Sequence, residues 1–305
     1  FSVSLQAWGV NDNYVSEEVG MQPIDVDKQY HFFNPRAGVS YTLAERNNFY
    51  LSFAVAQKEP TRSDFTDRYK FAADDTYPSS EKLYDWELGY QYTAPRLSLG
   101  VNLYYMKYKD QLVPTGMVND DSNALNTNVP DSYRRGVELR ASWRATGWFT
   151  VGANATFSQN RIENYVDALK DSPTYGKELG DMTIAYSPDV IANAFLNFHH
   201  RGFEAVFHTQ HVGKQYFTNN ENDALSLDAY CVTNLNLAYT FRTRSARSVR
   251  LGLLINNLFN AEYESNGYGY SYMDTWSGPA PVRIDEAYYF PQAPLNVLAN
   301  VSVKF

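Results

Sequence analysis

The feature that most constrains this chain is a two-residue alternation of apolar and polar side chains that recurs from one end to the other. At the carboxyl end Leu295, Val297, Ala299, Val301, Val303 and Phe305 occupy one register, and Asn296, Leu298, Asn300, Ser302 and Lys304 the other. Period two marks a β-strand with one greasy face. The preceding segment repeats it, with Val249, Leu251, Leu253 and Ile255 against Arg250, Gly252 and Asn256. Twelve alternating segments are expected, at about 1–9, 30–42, 48–58, 82–93, 97–109, 133–144, 149–160, 189–200, 203–213, 229–242, 247–259 and 292–305. Most have the length a tilted strand needs to cross a bilayer. Charged residues almost never enter the greasy register. Lys107 is the exception, near a strand end where its stem can snorkel to the interface.

The connections alternate between short and long. Short ones fall at Ala44–Asn47, Thr93–Arg96, Ala145–Trp148, Arg201–Gly202 and Thr243–Ala246; long ones fall near 10–29, 59–81, 110–132, 161–187, 215–227 and 261–290. Outer-membrane barrels sort their connections by end in this way, with tight periplasmic turns and long outer loops. The expected fold is therefore an all-β, antiparallel transmembrane β-barrel, with long loops extracellular and the C-terminus periplasmic. Aromatics gather at strand ends, among them Trp86, Tyr90, Tyr105, Trp143, Trp148 and Tyr239, as interfacial belts require.

Composition is compatible with this. No apolar run approaches the roughly 18 residues of a membrane helix, and a barrel strand hides its apolar residues at alternate positions. The net charge of −8 and the lack of a basic cluster argue against nucleic acid. All six long loops are net acidic, which favours cationic, neutral or metal-bridged ligands over bare polyanions. The single cysteine, Cys231, forbids an internal disulfide and falls in the lipid-facing register.

The endings NNLFNAEYESNGYGYSY (256–272) and YYFPQAPLNVLANVSVKF (288–305) resemble the last two strands of TonB-dependent outer-membrane receptors. PSSEKLYDWELGYQY (78–92), QKEPTRSDFTD (57–67) and YRRGVELRASW (133–143) are similar to internal stretches of that family, and FFNPRAGVSYTL (32–43) resembles the wording of receptors from Bacteroidetes. The resemblance covers essentially the whole chain. It implies a 22-stranded barrel filled by an N-terminal plug, of which residues 1–305 would be the C-terminal part, the last twelve strands. The plug, its energy-coupling box and about ten strands would lie outside this stretch. The implied function is TonB-dependent uptake of a scarce solute, foremost a ferric siderophore or another small metal chelate. The implied partners are the TonB complex acting through the plug, outer-membrane lipid and the barrel assembly machinery, for which Phe305 would be the terminal signal. The alternative is a free-standing twelve-stranded barrel acting as a passive pore or enzyme.

No catalytic signature is present: G-x-S-x-G, HExxH, CxxC and a Gly-rich phosphate loop are all missing. No enzyme and no cofactor are expected. Ligand-contact candidates are Tyr263, Tyr268, Tyr270, Tyr272, Trp276 and Arg283 in loop 261–290, since aromatic and Arg side chains supply rigid contact area and donors. Tyr288 and Tyr289 abut a strand and lean towards a girdle. Arg62 and Asp64, in the loop motif 57–67, are further ligand-loop candidates. The oxygen-rich run Thr218–Asp223 offers Asn220, Glu221 and Asp223 as weak calcium candidates, without EF-hand spacing; Asp120 and Asp121 are weaker still. His208 and His211 differ in parity and face opposite sides of a regular strand, so they cannot share a metal; with His31, His199 and His200 they suit a lumen or interface better than haem.

Overall fold

Antiparallel pairing of chain neighbours builds nearly the whole molecule. The computed structural model describes residues 2–10, 21–66, 77–118 and 123–305, with side chains from residue 29 onward. Asp120 and Asp121 lie outside the described residues. In chain order the elements are β1 (Ser2–Val10), β2 (Met21–Gln29), β3 (Arg36–Leu43), β4 (Asn47–Lys58), α1 (Arg62–Thr66), β5 (Glu81–Thr93), β6 (Leu97–Val118), β7 (Ala124–Arg144), β8 (Phe149–Ile162), β9 (Met182–Thr183), β10 (Val190–His200), β11 (Phe203–Val212), β12 (Gln215–Tyr216), β13 (Ser226–Leu227), β14 (Tyr230–Phe241), β15 (Ser248–Asn256), β16 (Glu264–Asp274), β17 (Val282–Pro291) and β18 (Asn296–Lys304).

One twelve-stranded antiparallel sheet dominates. It runs β3-β4-β5-β6-β7-β8-β10-β11-β14-β15-β18, with short β9 added to β8. This all-β meander is the architecture expected from the alternation. Its long strands are joined by tight turns at one end. Arg201 and Gly202 both take positive φ, 49° and 87°, in a two-residue turn between the partners His200 and Phe203, the geometry whose twist matches the flanking strands. The β3–β4 corner is one residue longer, 44–46 between the partners Leu43 and Asn47, with Ala44 and Glu45 also at positive φ, 51° and 59°.

Register carries the greasy face across the sheet. Leu51, Leu88, Leu103, Val137 and Phe157 line up in one row of successive cross-strand partners. Leu51, Leu88, Leu103 and Phe157 are exposed, as are Val39, Tyr41, Val101, Leu139, Leu251, Val297 and Val301. A face this apolar and this bare belongs against lipid rather than water. Rings flank it. Phe53, Trp86 and Tyr105 touch in sequence at 5.2 and 5.8 Å towards the long-loop end, and Phe149 stacks on Phe198 at 4.5 Å near the tight turns.

Four stretches depart from the expected boundaries. Segment 1–9 pairs with Met21–Gln29, a strand placed inside an expected loop, and the two form a separate sheet. The strand expected at 30–42 begins at Arg36. The expected loop 110–132 is largely strand: β6 and β7 continue to the pair Val118–Ala124. Their 22 and 21 residues reach about 70 Å along the strand at ~3.3 Å per residue, far more than a bilayer needs. Above the lipid no face must be greasy, so the ladder goes on while the alternation stops. Finally, the expected loop 261–290 contains the hairpin β16–β17.

These parts at the long-loop end are packed together. Val113 and Val129 of the tall β6–β7 hairpin share a buried cluster with Ile162 at the end of β8 and with Tyr165 and Ile184 from the β8–β10 connection. Burial pushes the Tyr165 phenol well up, with Asp167 adding to it. Phe217, Leu225 and Leu227 form a second cluster in the β11–β14 connection, and β16–β17 lies on it. Cβ atoms at Gly267 and Gly269 would sit 2.7 and 3.0 Å from the Phe217 ring, so glycine is what lets the hairpin backbone approach. Asn219, 0% exposed, ties three connections together. Its amide donates to the Pro114 carbonyl at 2.6 Å and its Oδ1 accepts from the Ala185 N–H at 2.7 Å. Glu221 accepts from the Thr183 N–H at 3.1 Å and ion-pairs with Arg161.

Two outcomes are expected. Asn219→Ala leaves two backbone groups unpaired, at about 1–3 kcal/mol for each; hydrogen exchange should speed up around 183–187 while β10 and β11 stay protected. Equal protection in the variant would refute the bridging role. Burial pushes the Glu221 carboxyl up, but the Thr183 and Arg161 hydrogen bonds and the Arg161 charge outweigh it and leave it below its ordinary value. A depressed carboxyl stabilises above its unfolded pKa of about 4.3 and loses that contribution as pH falls through the folded value. The 213–228 lobe should therefore open to protease on acidification, and Glu221→Gln should remove that dependence.

Candidate functional site

The β16–β17 hairpin presents two chemically distinct faces. Its register places Tyr268 opposite Tyr288, Tyr270 opposite Glu286, and Tyr272 opposite Ile284. Period two then puts Tyr268, Tyr270, Tyr272, Glu286 and Tyr288 on one face. Glu286 is the centre of it. Tyr270 and Tyr288 donate to its Oε2 at 2.7 and 2.8 Å, and Tyr272 donates to Oε1 at 3.2 Å. The Tyr270 and Tyr288 phenols hold the Glu286 carboxyl below the usual carboxylate range, and the bond to Glu286 pushes the Tyr270 phenol up. At neutral pH the unit is one carboxylate ringed by neutral phenols. Tyr268 stacks on Tyr288 at 4.9 Å and meets Phe290 at 6.1 Å. Tyr268, Tyr272, Tyr288 and Phe290 are exposed. Such a surface offers flat apolar contact and oriented hydroxyls together, held by few rotatable bonds.

The opposite face is structural. Tyr289 contacts Phe217 at 5.8 Å. Ser271 donates to Asp285 at 2.6 Å, and Arg283 donates to both Asp285 and Ser271 at 2.8 and 3.1 Å. Arg283 is thus engaged within the hairpin, away from the tyrosine face. Trp276 is 80% exposed at the tip, where Asp274 Oδ1 accepts from the N–H groups of Trp276 and Ser277, both at 3.0 Å. Tyr263 stands at the neck, stacked on Tyr230 at 4.6 Å.

The remaining candidates have other surroundings. Asp64, buried, accepts from the Thr61 N–H and hydroxyl at 2.7 Å each and from the Asn126 amide at 2.9 Å, so it fastens the β4–β5 connection to β7. Arg62 is exposed beside it on α1. Of the calcium candidates, Asn220 accepts from Thr218 at 2.7 Å, Glu221 serves Arg161 and Thr183, and Asp223 pairs with Lys214. Each thus has an oxygen already engaged by a protein donor. Among the described residues no group of three or more His, Cys, Asp or Glu could hold a metal. His208 pairs with Asn234 and His211 with Cys231, on opposite faces of β11 as parity requires; Cys231 is exposed on the greasy side. Phe305 is 90% exposed at the chain end.

Sequence does not single out Glu286, and it takes in Asn219 only as a member of the oxygen-rich run Thr218–Asp223, not as a bridge. A signal for the first existed: Tyr268, Tyr270 and Tyr272 recur at period two and Glu286 stands among them in the returning strand. Nothing local marks Asn219, because its partners lie 105 and 34 positions away.

The chain matches the family model described as TonB dependent receptor-like, beta-barrel, over residues 8–258. Solved structures share the fold at low identity. The ferric yersiniabactin uptake receptor FyuA from Yersinia pestis is 18% identical, with a TM-score of 0.66 over 94% of this chain and 39% of its own. The ferric-catecholate import receptor Fiu from Escherichia coli K12 is 17% identical, with a TM-score of 0.65 over 98% and 40%. The copper transporter OprC is 19% identical, with a TM-score of 0.63 over 87% and 39%. The chain thus spans about two fifths of the length of each of these proteins. With the meander, its greasy face and its packed long connections, these matches make the chain a member of the TonB-dependent receptor β-barrel family.

Proposed function

We propose that this chain is the C-terminal wall and part of the outer loop surface of an outer-membrane importer that takes up a small metal chelate, foremost a ferric siderophore, with energy from the TonB complex. The supporting observation is the tyrosine face around Glu286, held on a rigid outer deck above a lipid-suited sheet. Its exposed rings and phenolic hydroxyls give a chelate stacking area and donors without a large ordering cost. The acidic loops favour chelates in which the metal offsets the ligand's negative charge. FyuA and Fiu, named for ferric chelates, supply the substrate class by analogy of family.

The two outermost strands of the sheet, β3 and β18, each have one unpaired side among the described residues. Lipid cannot satisfy a bare strand edge. In this reading both edges pair with the other strands of a larger barrel, 22 in all, which also carries the plug. The chain itself performs no chemistry. It forms the wall, displays the loops, and keeps the tight turns and C-terminus on the periplasmic side.

The test uses the full-length receptor in iron-starved cells and a panel of ferric chelates. Tyr268→Ala with Tyr288→Ala should weaken binding of the transported chelate by at least about tenfold, as loss of two aromatic anchors does, with surface expression unchanged. Glu286→Gln, which keeps the hydrogen-bonded face, should cost less. Full binding by the double tyrosine variant would remove this face from the site. Failure of every chelate, with uptake of another solute instead, would overturn the substrate class.

A further inference from the structure

The greasy face ends abruptly at the long-loop edge of β4–β8, and what replaces it is cationic. Successive same-face rows can be read from the register. The apolar row Leu51, Leu88, Leu103, Val137, Phe157 is followed by Phe53, Trp86, Tyr105, Arg135, Gln159. Next come Val55, Tyr84, Lys107, Tyr133, Arg161, and then Gln57, Lys82, Lys109, Asp131. Rows on one face lie ~7 Å apart and neighbouring strands ~4.8 Å apart. Four cations from β5, β6 and β7 thus gather within two to three rows of the lipid-suited surface, interleaved with Tyr84, Tyr105 and Tyr133.

Their charges are unevenly matched. Lys107 pairs with Asp131 at 2.9 Å and Glu163 at 2.5 Å, and Lys109 with Asp131 at 2.5 Å. Arg161, the fifth cation, is taken by Glu221. Lys82 and Arg135 have no carboxylate partner among the described residues. Lys82 lies over the Tyr84 ring at 4.9 Å. Arg135 donates twice to the Gln159 amide oxygen, at 2.9 and 2.6 Å, and lies over Tyr133 at 5.2 Å. Lys82 and Lys109 are directly opposite each other, an arrangement that repels unless an anion offsets it; Asp131 serves only the Lys109 side. Arg135, opposite Tyr105, is diagonal to Lys107.

We propose that this outward patch binds the phosphate of an anionic membrane lipid. Lys82 and Arg135 would supply the charge left over, the tyrosines would lie at headgroup depth, and the Leu103–Val137–Phe157 row would take the acyl chains. Cations at this depth attract anionic lipid. The inference rests on the membrane reading of the wall and not on the transported solute, so failure of chelate uptake leaves it standing.

The experiment uses the full-length receptor in neutral detergent, incubated with dioleoyl phosphatidic acid, dioleoyl phosphatidylcholine or inorganic phosphate, with bound species read by native mass spectrometry. Phosphatidic acid should remain bound and phosphatidylcholine should not. Lys82→Ala with Arg135→Ala should reduce retention by at least about fivefold, the equivalent of one such cation, and Arg247→Ala at the tight-turn end should not. The Gln versions keep more of each side-chain stem and should show the same loss, which separates charge from folding. Equal retention in the double variants, or equal retention of phosphatidylcholine, overturns the proposal. Binding of inorganic phosphate without lipid retention overturns the lipid as its source.

Discussion

A strand in hydrocarbon has no water to satisfy its backbone, so every N–H and C=O must find another strand. The rest of this structure depends on that requirement. It explains why chain neighbours pair without crossing, why the turns at one end are reduced to a few residues, and why charge is kept out of one register through the lipid zone. It also makes β3 and β18 the least self-sufficient parts of the wall. Their side chains are already arranged for lipid, but each still lacks a partner along one side among the described residues.

Where that requirement lapses, the logic of the chain changes. Beyond Lys109 and Asp131 the strands no longer face lipid, and stability comes instead from small buried clusters and from amides that bridge connections. Val113, Val129 and Ile162 make one cluster; Phe217 and Leu225 make another. The tyrosine face is carried on the second. The tyrosine face and the wall are therefore held by different forces, side-chain packing in the first case and ladder hydrogen bonds in the second.

This division decides what was legible in the sequence. In the wall, a burial constraint acts on every second residue, and Leu97, Leu99, Val101 and Leu103 announce their strand directly. In the deck, Pro114, Asn126 and Asn128 occupy strand positions with no alternation to betray them, so the extension of β6 and β7 is not legible there. Two glycines and several polar residues made β16 resemble a loop, although those glycines are there because Phe217 needs the space. The candidates in 261–290 divided for the same reason. Tyr268, Tyr270 and Tyr272 share a face because period two says so, whereas the inward engagement of Arg283 depends on Ser271 and Asp285 across the hairpin. Asp64 gave no warning that its carboxylate would be consumed by Thr61 and Asn126.

Asn219 has a consequence for how such a surface can diverge. It spans three connections that are far apart in the chain, and each contributes a backbone group or a side chain to the same small junction. Replacing one connection by the equivalent stretch of a relative would orphan groups in the other two. The surface built by these long connections is therefore heritable as a set rather than as interchangeable parts. The tyrosine face, which the junction supports but does not include, is free of that constraint and can change one residue at a time.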